Sequence, residues 1–221
     1  MPFDRKPIND RQRALQTALA RPAEHPEWRE LALSQNAACH ATGVGEMGSP
    51  TWDDALWEGL EEAAARRVPP KGEHSIAWAI WHMARCEDLA MSLLVGGLPQ
   101  VLDAAWLRAL GVEAQDTANT WDAAAITAFS DVVDLQALRG YRSAVGRQTQ
   151  TILRQLDDGT LKHKVLPERI QQVKDSGGVD PSAAWLTDYW GSRTLAGLIL
   201  MPATRHLIVH LNEAMRLKLK T

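Results

Sequence analysis

The sequence lacks most of the features that mark specialised chains. Cysteine is scarce: Cys39 and Cys86 are too few for a disulfide framework or a Cys-x-x-Cys site, so both are read as reduced thiols. An excess of positive charge is missing, since 24 Lys+Arg against 27 Asp+Glu gives a formal net charge of −3 with no basic block. Nucleic-acid binding, which rests on a positive footprint, is therefore not expected. Long apolar runs are absent as well. The stretch Thr194 to Thr204 is far short of the ~20 residues that a membrane span needs, so no membrane partner is expected. The opening residues, MPFDRKPIND, are polar and contain no apolar h-region, so the expectation is a cytoplasmic chain without a signal peptide.

Phenylalanine and tyrosine are rare, with two of each, but tryptophan is not: there are nine. Each indole brings a large apolar area and one N–H that needs a partner. Most are read as core residues, with Trp78 and Trp81 as candidates for lining a substrate pocket. Apolar residues at 45% and charged residues at 23% fit an ordinary globular chain. A length of 221 residues suffices for one substantial core, and no linker divides it, so a single domain over 1–221 is expected.

Period-2 alternation is nearly absent and helical spacing dominates, which points to an all-α fold. A first helix is expected after Asn9 or Asp10, through RQRALQTALA. A second covers PEWRELALSQNAACHAT and stops at Gly43 and Gly45. The third begins at Ser49-Pro50-Thr51, where Thr51 can cap and Asp53 and Asp54 suit the helix dipole, and is read as continuous to Pro69. The fourth runs from about His74 to Val95 and closes at Gly96-Gly97. Short helices are expected near 101–110 and 121–129, and a long one from Asp134 to Leu156. A less regular stretch containing Pro167 and Gly177-Gly178 follows, with an entry segment at 181–190. The last helix spans about 194–220, bent by Pro202. Four long helices with additional short ones predict an up-down four-helix bundle.

The sharpest local feature is His206-Leu-Ile-Val-His210. Residues four apart lie one above the other on a helix, so both imidazoles can reach one ion. The rest of that face (Ile199, Ala203, Ala214 and Leu217) is apolar, which turns the pair inward. Buried imidazoles are costly unless hydrogen-bonded or metallated, and either solution fits this pair alone. His82 lies on a similar stripe with Trp78, Ala79, Cys86, Leu89 and Leu93. Three inward histidines on two helices supply the three protein ligands of an open metal site. No His-Glu-x-x-His and no Glu-x-x-His is present, which argues against a zincin protease and a di-iron centre. His25, His74 and His163 lie beside prolines, glycines or charges and are read as exposed, and Cys86 as a buried bystander.

The stretch HSIAWAIWHMARCED (His74 to Asp88) resembles the second-helix motif of the DinB-like family, and MPATRHLIVHLNEAMRL (Met201 to Leu217) resembles its C-terminal HxxxH helix. The resemblance implies a four-helix bundle with a histidine triad holding a divalent metal, Zn²⁺ or Ni²⁺, and it falls on His82, His206 and His210. Characterised members include enzymes that act with a low-molecular-weight thiol such as mycothiol, bacillithiol or glutathione. That implies a thiol-dependent S-transferase or a hydrolase acting on a small-molecule substrate. The alternative from another class is a non-catalytic, metal-stabilised bundle serving in binding or stress response. Glu87, Asp88 and His40 are the acid/base candidates; Trp78, Trp81 and Arg85 are the substrate-binding ones. Asn212 and Glu213 are read as able to orient a ligand imidazole or contact substrate, although Asn212 lies off the His206/His210 face and is read more simply as a helix-packing hydrogen bond. Helical bundles offer flat apolar faces, so a homodimer is a possible assembly.

Overall fold

Among the described residues (6–46, 50–70 and 74–219) the computed structural model has twelve α-helices and no strand, with one lone antiparallel bridge between Lys164 and Thr194. Helices α1 (Lys6–Ala20) and α2 (Trp28–Cys39) precede the short α3 (Trp52–Trp57) and α4 (Glu62–Arg66). Next come α5 (Ile76–Asp88), α6 (Ala104–Leu110), α7 (Ala123–Val132) and α8 (Leu135–Gln155). The series closes with α9 (Pro167–Asp175), α10 (Ala184–Gly191), α11 (Leu195–Leu200) and α12 (His206–Lys218). Helix α5 packs on α8 and α12, α2 packs on α8, and α2 also touches α12, so these four segments enclose a shared core.

Several boundaries follow from local chemistry. Thr51 caps α3 in a reciprocal box with Asp54, and Asp134 caps α8 through the Ala137 amide. Other boundaries differ from the expected ones. Helix α1 already includes Lys6, so Asn9 and Asp10 lie within it rather than capping it. Ser49 lies outside the described residues. The third helix is two, because Gly59 takes φ +63°, a conformation that glycine reaches without steric cost. The irregular stretch after residue 157 contains α9, and the entry segment at 181–190 forms most of α10. Pro167 opens α9, where its missing N–H leaves no bond unmade.

All thirteen residues of α5 are buried, which the amphipathic reading of its sequence did not anticipate. Helices α4, α7, α8 and α12 all contact it, so no face remains for solvent. Its charged residues must consequently find partners inside the protein.

Two stretches widen to π-helical winding: Leu89–Gly96, which continues α5, and Met201–Arg205, which joins α11 to α12. Pro202 has no N–H to donate, which frees backbone acceptors in the second stretch. Side chains take up those carbonyls. The Thr204 hydroxyl reaches Ile199 O and Leu200 O at 3.0 and 2.8 Å, Gln12 Nε2 donates to Leu200 O at 3.2 Å, and Asn36 Nδ2 donates to Ala203 O at 2.9 Å. The wide turn is thereby tied to α1 and α2. It sets the rotation of α12, and with it the direction of His206 and His210.

Candidate metal centre

His82 from α5 and His206 and His210 from α12 meet at the helix interface. One ring nitrogen from each lies within 4.8 Å of the others, and His82 Nε2 and His206 Nε2 are 3.1 Å apart. Each ring pair crosses edge to face, at centroid separations of 4.6 to 4.9 Å.

The proton positions follow from the partners. His82 Nδ1 lies 2.6 Å from the Thr117 carbonyl, which can only accept, so Nδ1 carries the proton and Nε2 presents a lone pair. His210 Nδ1 donates to Glu213 Oε2 at 2.9 Å, which turns its Nε2 toward the centre. His206 Nδ1 is enclosed and has no hydrogen-bond partner among the described residues. Burial first, and then the neighbouring imidazole of His210, push His82 down to about 3. Burial followed by His82 and His210 holds His206 well below its ordinary value. Both rings are therefore neutral at pH 7, the form in which imidazole binds a metal.

An outer layer fixes these rings. Trp78 stacks on His82 at 4.6 Å, and His74 stacks on the other face of Trp78 at 3.6 Å. His74 Nδ1 also donates to Glu213 Oε1 at 3.0 Å, so this carboxylate bridges His74 and His210. Burial opposes the Glu213 anion, but the bonds from His210 and His74 outweigh it and hold its carboxyl far below the usual range. His74 was expected to be exposed; instead it belongs to this layer. Its spacing of four from Trp78, and of eight from His82, was the signal available in the sequence. His163 is exposed as expected, while His25 is half-buried and pairs with Glu27 at 2.9 Å.

Trp78, Trp81 and Arg85, the expected substrate contacts, perform a positioning task. Four consecutive carbonyls accept from α5: Gln115 from Arg85 Nε (2.8 Å), Asp116 from Trp81 Nε1 (3.0 Å), Thr117 from His82 and Ala118 from Trp78 Nε1 (3.3 Å). This strap holds Ala118 at φ +60°, a region that costs a residue with a Cβ roughly 1 kcal/mol. Any residue type can offer a carbonyl, so the strap leaves no mark in the sequence.

The acid/base candidates are buried and satisfied. Asp88 accepts from Arg85 (3.0 Å), the Tyr141 hydroxyl (2.8 Å), Ser92 (2.9 Å) and the amides of Val101 and Leu102. Glu87 accepts from Asn36 at 2.8 Å and from His40 Nε2 at 2.9 Å. Burial would raise the Glu87 carboxyl, but His40, Arg142 and Asn36 prevail and hold it below its ordinary value. His40 is fully buried, and Gly146 makes room for it: a Cβ there would lie 2.6 Å from His40 Nδ1.

One cavity of about 300 Å³ reaches the triad. His206 forms part of its wall together with Cys86, Trp185, Tyr189, Trp190 and Pro202. Neither Trp78 nor Trp81 lines it; the indoles that do come from α10, in the entry segment expected at 181–190. Cys86 Sγ lies 3.9 Å from His82 Nδ1, and burial pushes its thiol up to about 12, so it stays protonated.

These residues fit a divalent ion. Nitrogens bound to a tetrahedral ion at ~2.0–2.1 Å lie about 3.3 Å from each other, close to the His82–His206 separation. Three imidazoles, two of them fixed by outer-layer acceptors, also form the donor set that zinc and nickel favour. The fold and site thus define a helical protein with a three-histidine metal-type centre. The DinB superfamily model matches residues 54–214, a span that contains all three histidines, and the chain belongs to that superfamily. No curated protein matches it. Asn36 and His40, the two side chains that bond the Glu87 carboxylate, lie outside the matched span.

Proposed function

We propose that this chain is a metal-dependent enzyme that holds one Zn²⁺ or Ni²⁺ on His82, His206 and His210 and transfers a small-molecule thiol to an electrophile. The observation that carries this reading is the cavity wall: His206 faces a space of about 300 Å³ in which a small molecule can approach the triad. A bound divalent ion with an open position lowers the pKa of a ligand and stabilises its anion.

The lining favours sulfur over water as the nucleophile. Hydrolysis is helped by a base that takes the proton of water and an acid that protonates the leaving group. Glu87, Asp88 and His40 are consumed in buried networks, and among the described residues the cavity lining contains no carboxylate and no histidine other than His206. A thiolate needs no such base at the moment of attack. Its proton passes to solvent, sulfur bonds to carbon, and the bond to the leaving group breaks with its electron pair. Trp185 and Trp190 offer flat apolar surface to the electrophile, and Asn119 and Tyr189 offer hydrogen bonds.

The test is to load the protein with Co²⁺ and titrate it with 2-mercaptoethanol while recording absorption. The reading predicts a saturable sulfur-to-cobalt charge-transfer band that is absent in His206→Ala. Cobalt spectra that no thiol perturbs would instead favour a closed, structural metal.

A further inference from the structure

A second and larger depression, about 570 Å³, lies beside the metal cavity. Tyr189 and Met201 line both, so the two spaces adjoin along α10 and the π turn. Their chemistry is opposite. The metal cavity is walled mainly by indole and aliphatic surface, whereas the groove is lined by Arg13, Arg193 and Arg205 with the amides of Asn9, Gln12 and Gln16. No carboxylate is among its lining residues within the described part of the chain.

Three guanidinium groups around one depression repel each other unless an anion is present. A generally basic surface does not explain them, because the chain carries a net charge of −3. Arg13 pairs with Asp10 at 3.6 Å one turn back on α1, while Arg193 and Arg205 make no ion pair among the described residues. The Arg193 guanidinium lies 4.2 Å over the Tyr189 ring. Stacking of this kind orients the group and leaves its in-plane N–H donors available to a carboxylate. The adjoining Gln12 is already committed to the π turn through Leu200 O and Thr204, so the groove floor is tied to the segment that presents His206.

We propose that this groove binds the carboxylate end of an elongated small molecule whose apolar part occupies the metal cavity. The inference deepens the reading of the cavity as a substrate site, and rests on it for the position of the apolar end. The substrate class is then a carboxylate-bearing amphiphile, as thiol donor or as electrophile, rather than a neutral hydrocarbon.

The experiment is titration calorimetry of the full chain with octanoate and, separately, with octanol. Octanoate is expected to bind at least ~10-fold more tightly, as charge-assisted bidentate pairing allows. In Arg193→Gln/Arg205→Gln that advantage is expected to fall to about 2-fold with octanol affinity unchanged. Arg193→Lys, which keeps the charge, should retain most of it, and Arg13→Gln/Arg193→Gln checks the groove without altering the neighbour of His206. Equal affinity for the two probes, or an octanoate advantage that survives the double Gln variants, overturns the proposal; survival would mean that the carboxylate sits elsewhere, for example on the metal. Octanoate preference in His82→Ala separates the two readings. If that variant loses the metal yet keeps the preference, the groove stands on its own whatever the cavity does.

Discussion

Helix α5 carries two kinds of buried polar residue a single turn apart, and they are treated in opposite ways. Glu87 and Asp88 are saturated: every carboxylate oxygen accepts a hydrogen bond from a side chain or an amide. His82, five residues before Glu87, has one nitrogen fixed on Thr117 and the other turned to His206, which itself has an unpartnered nitrogen. Buried polar groups that are fully bonded hold a structure together. Those left with converging lone pairs cost stability and imply something to bind. The contrast separates carboxylates bonded at every oxygen from histidines whose ring nitrogens converge on one point.

The largest effect should come from breaking the saturated side. Asp88→Ala leaves Arg85 buried without its counter-charge and should cost about 3–5 kcal/mol in urea unfolding, by the same amount with and without added metal. A metal-dependent loss would place Asp88 in the site instead. Acid should act next, on the histidine side. His82 lies near 3 when folded against 6.5 when unfolded, so the unfolded chain binds the extra proton in that window. Stability of the chelator-treated protein should therefore fall by up to roughly 1.4 kcal/mol per pH unit from His82 as pH drops from about 6.5 toward 3. Glu87 and Glu213, whose folded carboxyls are held low, act in the same direction below their ordinary 4.5. A flat profile between pH 6.5 and 5 would contradict the neutral, buried His82.

Smaller changes sharpen the contrast further. Glu213→Gln weakens the orientation of His210 and should reduce metal affinity by about 10–100-fold in a competition with a chromogenic chelator, with folding little changed. His206→Leu removes an unpartnered buried nitrogen and should raise the stability of the metal-free chain by about 1–2 kcal/mol while abolishing metal binding. A stability loss on that substitution would show His206 to be an ordinary core residue.

Much of this was legible in local pattern. The triad followed from two helical faces, because spacings of four report direct neighbours on one helix. The cap at Thr51 and the long helix, expected from about Asp134 to Leu156 and found over 135–155, were equally local. What escaped depends on distant partners. The burial of α5 on all sides depends on the helices packed around it, and Glu87 meets His40 across 47 positions. The strap at 115–118 uses backbone carbonyls, and the cavity wall comes from α10, whose Trp185 and Trp190 carry no periodic signature. The π turn is intermediate: Pro202 announced a disturbance, but the carbonyl partners Gln12 and Asn36 come from helices far back in the chain.

The central claim is that three histidines hold one ion, and elemental analysis of untagged protein tests it most directly. The account predicts about one Zn or Ni per chain in the wild type after purification or reconstitution, and none in His82→Ala/His206→Ala. A wild-type protein that binds neither metal after reconstitution, or a double variant that binds as much, would contradict it.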